Sequence, residues 1–194
     1  SRVINKTPIE LNERLSKKFN CKIFFKREDK QPVRSFKIRG AFNRISNLDI
    51  EQKENGVVCA SAGNHAQGFA FSCKKLGIKG DIFLPTKTPI QKVNRIKSFS
   101  DGSCNIHLHG DTFNECLEES LKFTNINDKE FIHPYDDVDT IIGQGTIAKE
   151  IYEDINPDMI IGSIGGGGLM SGVGSYSKEV NPNCKVYGAE PQSC

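Results

Sequence analysis

Three short stretches carry residue types that could do chemistry. The first is Gly165-Gly166-Gly167-Gly168, which follows an apolar run and precedes an amphipathic one. Glycine lets successive backbone N–H groups turn inward through dihedrals closed to other residues. With the positive end of a helix behind them, such amides make a cradle for phosphate. A glycine run alone reads equally as a flexible loop or a cap; the strand before it and the helix after it favour phosphate. It is not a dinucleotide fingerprint, since no GxGxxG fits, nor a Walker A loop, since no Lys-Ser/Thr follows. The second stretch is Ser35-Phe36-Lys37-Ile38-Arg39-Gly40. A lysine at a helix start is usually solvated, yet lysine is also the residue that forms a Schiff base with an aldehyde. To act as a base its amine must be neutral. Arg39 and a partly dry pocket are expected to lower the pKa of Lys37. The third stretch, Ser61-Ala62-Gly63-Asn64-His65, offers a hydroxyl, backbone amides, an amide side chain and an imidazole at a helix N-terminus. That set suits a carboxylate ligand; ordinary capping by Asn64 explains it as well.

The remaining chemistry-bearing residues are less specific. His107 and His109 are two apart on a strand-like run and face the same side, with no third metal ligand evident, so a structural role is favoured. His133 precedes Pro134 in a loop and is equally unspecific. No HExxH, GxSxG or CxxC occurs. The seven cysteines (Cys21, Cys59, Cys73, Cys104, Cys116, Cys184 and Cys194) are scattered and odd in number. They read as reduced thiols of a cytosolic or organelle-matrix protein, Cys59 above all as a core residue.

The elements that must position these groups follow from periodicity. Short apolar, β-branched runs predict strands at 22–25, 56–60, 81–84, 105–108, 130–132, 159–164 and 185–188. Amphipathic stretches between them predict helices at 35–47, 64–76, 89–99, 111–124, 140–154 and 169–180. Thr88-Pro89 resembles an N-cap followed by proline at the first helical position. Leu76-Gly77 resembles a helix stop. Strand–helix alternation argues for an α/β fold with mostly parallel sheets. On such sheets sites gather where strands run into helices, which is where the 61–65 turn and the glycine loop fall.

Composition narrows the class further. The chain has 194 residues, 37% of them hydrophobic and 26% charged, as in ordinary globular proteins. Twenty-six basic and 24 acidic residues, mixed throughout, leave a net charge of +2, which argues against nucleic acid or an anionic membrane as partner. No apolar run approaches the roughly 18–20 residues of a membrane span. The chain opens at Ser1 without a signal peptide and stops at Cys194 directly after a strand-like run. Both ends are therefore expected to be cut from a longer protein, which leaves cytoplasm and organelle matrix (mitochondrion or plastid) open.

Taken together the motifs resemble the fold-type II pyridoxal-phosphate (PLP) enzymes, and among them the threonine dehydratases. The resemblance runs through nearly the whole chain. It takes in Thr7-Pro8, Lys26-Arg27-Glu28-Asp29-Lys30-Gln31-Pro32-Val33, and Ser35-Phe36-Lys37-Ile38-Arg39-Gly40-Ala41. It continues through Ser61-Ala62-Gly63-Asn64-His65-Ala66-Gln67-Gly68, Gly143-Gln144-Gly145-Thr146, and the glycine loop with Leu169. Each is modest alone; in this order and spacing they are specific. The resemblance implies a tryptophan synthase β-like architecture of two open, mostly parallel α/β domains. The small mobile domain would hold 56–130. The large PLP-binding domain would hold 1–55 and 131–194 and be incomplete, its remaining strands lying beyond Cys194. By the same resemblance Lys37 holds PLP as a Schiff base, Phe36 packs beside the ring and Asn64 bonds the phenolic oxygen. Gly165, Gly166, Gly167, Gly168 and Leu169 supply amides to the phosphate, and Ser61, Gly63, Asn64 and His65 cup the substrate carboxylate.

The implied activity is conversion of L-threonine, and secondarily L-serine, to a 2-oxo acid and ammonia by an enzyme that is a homo-oligomer when full length. The Gln31-Pro32-Val33 stretch resembles the biosynthetic members that open isoleucine synthesis. Serine racemases are similar but carry a second serine where this chain has Ala62. The β-replacing enzymes lack the Lys-Ile-Arg-Gly-Ala run. Glu190 matches a divalent-metal position of some racemase-like members, whose other side-chain ligand would fall past Cys194. The family's partner for the pyridine nitrogen and its regulatory domain would also lie there, so a non-catalytic fragment or assembly partner stays open as a reading of another class.

Overall fold

In the computed structural model, which describes residues 3–192, strands and helices alternate along the chain. The order is β1 (Ile9–Leu11), α1 (Glu13–Phe19), β2 (Phe24–Lys26), a 3-10 turn (Glu28–Lys30), α2 (Lys37–Ser46), α3 (Ile50–Asn55), β3 (Val57–Ala60), α4 (Asn64–Leu76) and β4 (Gly80–Leu84). There follow α5 (Ile90–Ser100), β5 (Cys104–Leu108), α6 (Phe113–Ile126), β6 (Glu130–Phe131), α7 (Val138–Asp154), β7 (Met159–Ser163), α8 (Gly168–Val180) and β8 (Lys185–Ala189).

β3, β4, β5 and β6 form one fully parallel sheet in the order β5-β4-β3-β6, with Val57 paired to Gly80 and to Glu130, and Gly80 to Cys104. Every residue of β3 and β4 is buried, because helices cover both faces. The period of two sorts them. Val57, Cys59, Ile82 and Leu84 pack with Phe69 and Cys73 of α4 and with Val93 and Ile96 of α5. Val58, Ala60 and Phe83 pack with Cys116, Leu117 and Phe123 of α6. A second parallel pair, β7-β8, and the antiparallel pair β1-β2 lie apart from this sheet. There Ile147, Ala148 and Ile151 of α7 meet Val173 of α8, with Ile9, Phe36 and Ile160 against them.

Four helices are locked together through glycines. A Cβ on Gly68 of α4 would stand 2.9 Å from the Ile38 nitrogen and 3.0 Å from the Lys37 carbonyl carbon in α2. A Cβ on Gly143 of α7 would stand 2.6 Å from the Arg39 oxygen and 2.7 Å from the Gly40 Cα. Gly145 of α7 meets Gly172 of α8, where an added Cβ would lie 3.0 Å from the Gly172 oxygen. Interhelical distance depends on the side chains at the crossing, and glycine lets backbones touch. The series α4–α2–α7–α8 therefore brings three helix starts, at Lys37, Asn64 and Gly168, to one region.

Several local expectations shift. β1, α1, α3 and the 3-10 turn were not marked by periodicity. Neither α1 nor α3 has a buried residue, so no core-facing stripe exists to read. They are held by end signals instead: Asn12 caps α1, and Asp49 with Gln52 closes a capping box on α3. The strand expected at 22–25 sits at Phe24–Lys26, and the helix expected from 140 begins at Val138 behind an Asp137 cap. Thr88 does not cap α5; Pro89 precedes Ile90 with no side-chain cap. Gly77 does end α4 in the left-handed conformation, φ +69°.

Candidate active site

Helix starts normally carry a side chain that accepts from the first free N–H groups. α1, α3, α6 and α7 follow that rule through Asn12, Asp49, Thr112 and Asp137. α2, α4 and α8 do not: Phe36, Gly63 and Gly167 precede them, and none supplies a cap. The three helices that converge thus present uncapped N-termini, each favouring negative charge.

Lys37 is the first residue of α2. Its Nζ donates to the Pro134 carbonyl at 2.6 Å and lies 5.5 Å from the centre of the Phe36 ring and 5.9 Å from that of Tyr135. Burial holds its pKa below the ordinary lysine value. Arg39 does not contribute, contrary to expectation. Two residues along a helix is about 200° of turn, so Arg39 faces away from Lys37. Its guanidinium, 2% exposed, bonds Glu28 at 2.8 Å and Glu150 at 2.8 Å, and Thr146 at 3.0 Å. Burial alone would lower the Arg39 pKa, but these carboxylates raise it beyond the ordinary value. Glu150 also takes Lys26 at 2.6 Å. Arg39 is the anchor of the lysine-bearing helix, tying it to α7 and to the segment before it.

In the 61–65 turn the Ser61 hydroxyl accepts from the Gly63 N–H at 3.2 Å. Asn64 is exposed at the first position of α4, and Ala62 packs partly into the main core. His65 departs from the expected ligand-facing imidazole. It is 3% exposed, with Nε2 3.0 Å from the Ile132 carbonyl. A carbonyl only accepts, so Nε2 carries the hydrogen and Nδ1 is a bare acceptor, buried without a partner. Burial, then the Lys37 charge, lowers its pKa to about 3, so the ring is neutral. What the turn offers a ligand is its backbone amides and Asn64.

The glycine loop runs from β7 into α8 as the spacing implies. Only Gly167 needs the left-handed region, at φ +85°. Gly165 and Gly167 have open space where a Cβ would point, whereas Gly166 and Gly168 lie on Tyr135, whose ring and backbone a Cβ would strike. Leu169 packs beside the α7–α8 core.

The segment between β6 and α7 was missed as part of the site. Ile132 receives His65, Pro134 receives Lys37, and Tyr135 rests on the glycine loop. His133 Nδ1 accepts from the Asp136 N–H at 2.7 Å. Burial lowers the His133 pKa, with nearby Asp136 and Asp137 opposing and Lys37 adding to it. The available signal was the strand-to-helix placement of His133-Pro134-Tyr135 with an aromatic at its end. His107 lies elsewhere, bonded at 2.7 Å to buried Asp81 and stacked 4.5 Å from Phe83, while His109 approaches Glu119 at 4.0 Å. Glu190 is exposed just after β8, and no cluster of three or more His, Cys, Asp or Glu suited to a metal occurs among the described residues. Cys194 lies outside those residues.

A half-buried amine of depressed pKa, aromatic faces beside it, and uncapped amides with open space around Gly165 and Gly167 fit a ligand bearing an aldehyde and a phosphate. PLP meets that description, with Lys37 for the aldehyde and Gly165 to Leu169 for the phosphate. These features define an α/β enzyme site built for a lysine-bound, phosphorylated cofactor.

Comparison with known proteins agrees. All of residues 1–194 match the family of pyridoxal-phosphate dependent enzymes, and the chain belongs to that family. It is 52% identical over 191 residues to L-threonine dehydratase biosynthetic IlvA of Bacillus subtilis, covering 97% of this chain and 45% of that protein. The Staphylococcus aureus counterpart is 48% identical over 194 residues, covering 97% and 46%. The fold matches processed threonine deaminase isoform 2 of Solanum lycopersicum with TM-score 0.93 at 40% identity, over 97% of this chain and 51% of that one. Maize serine racemase matches with TM-score 0.93 at 36% identity, over 97% and 57%. The chain spans about half the length of the relatives it matches. No helix of the described residues is long and apolar enough to cross a membrane.

Proposed function

We propose that this chain carries the catalytic lysine of an enzyme that converts L-threonine to 2-oxobutyrate and ammonia, and L-serine to pyruvate more slowly, as the opening step of isoleucine synthesis. The observation that carries the reading is the Lys37 amine, depressed by burial and held on the Pro134 carbonyl beside the Phe36 and Tyr135 rings. The substrate carboxylate docks on the uncapped start of α4, near Ser61, Gly63 and Asn64. The cofactor phosphate docks on Gly165 to Gly168 and the start of α8. Phe36 would flank the cofactor ring, and Asn64 would bond its phenolic oxygen. When bound, PLP supplies an electron-withdrawing ring that takes up charge left at the substrate α-carbon. Lys37 removes the α-proton, which its lowered pKa favours at neutral pH. The β-hydroxyl then takes up a proton, balancing the one Lys37 removed, and leaves as water. The released enamine tautomerises to the imine, and water hydrolyses it to the 2-oxo acid and ammonia.

We further infer a small domain over 56–130 that closes on a larger one formed by 1–55 and 131–194. The sheet with cores on both faces supports it, although β6 extends that sheet to Phe131. The working form is proposed to be a homo-oligomer of the longer protein, acting in cytoplasm or organelle matrix without nucleic-acid partners. Exposed Ile161 and Tyr187 on β7-β8 are apolar surface that such an assembly, or the rest of the chain, would cover.

Racemisation is disfavoured because Ala62 offers no acid or base at the place where similar racemases carry a serine. The test is product analysis on the full-length holoenzyme. L-threonine should give 2-oxobutyrate, and L-serine should give pyruvate without D-serine. Lys37→Ala should lose about 10³-fold or more in kcat. Turnover by that variant without added amine, or D-serine as main product, would overturn the assignment.

A further inference from the structure

Six cysteines fall among the described residues, all as free thiols, and two of them meet. Cys73 is buried near the end of α4, and Cys104 is the half-buried first residue of β5. Both sulfurs lie 2.9 Å from the point where a Cβ would stand on Gly80, so they flank one small space. The Phe69 ring closes the same spot at 2.7 Å. The missing side chain at position 80 is what gives the two sulfurs room to approach.

Their access is unequal. β5 is an edge strand of the parallel sheet. Cys104 lines an open groove of about 460 Å³ together with Val93, Lys97 and Ile106. Lys97 adds a cation to the lining of that groove. Cys73 is sealed beneath, and burial first, then the neighbouring Cys104 thiol, raises its thiol well above the ordinary range. One sulfur thus faces solvent and the other waits behind it, the arrangement of an attacking and a resolving cysteine.

We propose that Cys73 and Cys104 form a reversible disulfide, a redox modification site separate from the Lys37 centre, with hydroperoxide as the oxidant. The Cys104 thiolate attacks one peroxide oxygen, the O–O bond breaks, and hydroxide takes a proton to leave as water. The sulfur is now a sulfenic acid. Cys73 sulfur attacks it, the S–O bond breaks, and the departing hydroxide takes the Cys73 proton as a second water. Two thiols are oxidised and one hydrogen peroxide is reduced to two waters. The bond pins the far end of α4, the helix whose near end forms the 61–65 turn, to the sheet edge.

The full-length holoenzyme is treated with stoichiometric hydrogen peroxide, quenched with an alkylating reagent and digested without reductant. The expected product is one linked peptide pair joining Cys73 to Cys104, lighter by two hydrogens and restored by dithiothreitol. Cys104→Ser should slow thiol loss by about tenfold or more. Cys73→Ser should leave Cys104 as a sulfenic acid that dimedone traps. Linkage of Cys59 to Cys104, oxidation of exposed Cys21 with both thiols intact, or unchanged thiol loss in Cys104→Ser would each overturn the proposal.

Discussion

The Lys37 amine rests 2.6 Å from the Pro134 carbonyl oxygen, and that oxygen rather than a carboxylate accepts its hydrogen bond. A carbonyl does little to favour the charged amine, so burial sets the pKa and lowers it. The sign follows. A lysine whose folded pKa lies below its unfolded value penalises the folded state while charged, and the penalty fades as pH rises toward about 10. Lys37→Met should therefore stabilise the cofactor-free full-length protein near neutral pH, with the gain shrinking at alkaline pH. Urea unfolding at several pH values measures this; a destabilised variant would contradict it.

His65 has the complementary signature. Its pKa falls to about 3 on folding, from the ordinary value of about 6.5. Below the unfolded value the unfolded chain binds the extra proton, so stability drops as pH falls, by about 1.4 kcal/mol per pH unit. The window is about pH 6 to 3. His65→Gln keeps an N–H for Ile132 and should flatten that slope. Asp81 and Glu150 act lower. Burial would raise both, but Lys129, His107 and Asn105 on Asp81, and Arg39 and Lys26 on Glu150, hold them below their ordinary values. Their contribution is present above about pH 4 and lost as pH falls further. His133, also lowered by burial, leaves a residual slope in the variant; a variant slope between pH 6 and 4 equal to that of the wild type would refute the His65 account.

Breaking the Arg39 network should be costly. Arg39→Met leaves Glu28 and Glu150 partly buried without their shared cation, and loss of one member of such a set costs about 3–5 kcal/mol. Arg39→Lys keeps the charge but not the fork that spans both carboxylates, and should recover only part. Denaturation midpoints of the full-length protein check both.

Two glycines of one loop should behave differently. Gly167 sits at φ +85°, where a side chain costs about 1–2 kcal/mol. Gly165 has open space and no such dihedral. Gly167→Ala should weaken PLP binding about tenfold, measured by titrating the visible absorbance of bound cofactor, and Gly165→Ala should change it little. Equal losses would mean that space rather than backbone conformation governs the cradle.

Much of this was readable from residue order because it depends on local signals. The glycine loop between β7 and α8, the αL stop at Gly77 and the buried run of β3 all announce themselves within a few residues. What was not readable depends on direction and on distant partners. Arg39 is beside Lys37 in sequence yet faces Glu28 and Glu150, and only the assembled α2–α7 crossing reveals it. His65 looks like a ligand until Ile132, far along the chain, takes its N–H. Tyr135 carries no motif of its own and gains meaning only from Gly166 and Gly168 against it.

The glycine crossings also work as a ruler. From the start of α4 through α2 and α7 to the start of α8, contact is made by main chain at Gly68, Gly143, Gly145 and Gly172. At these points main chain meets main chain, so the spacing between the 61–65 turn and the glycine loop is set by atomic radii. An alanine at any of these points lengthens the ruler by a methyl group and pushes the 61–65 turn and the glycine loop apart.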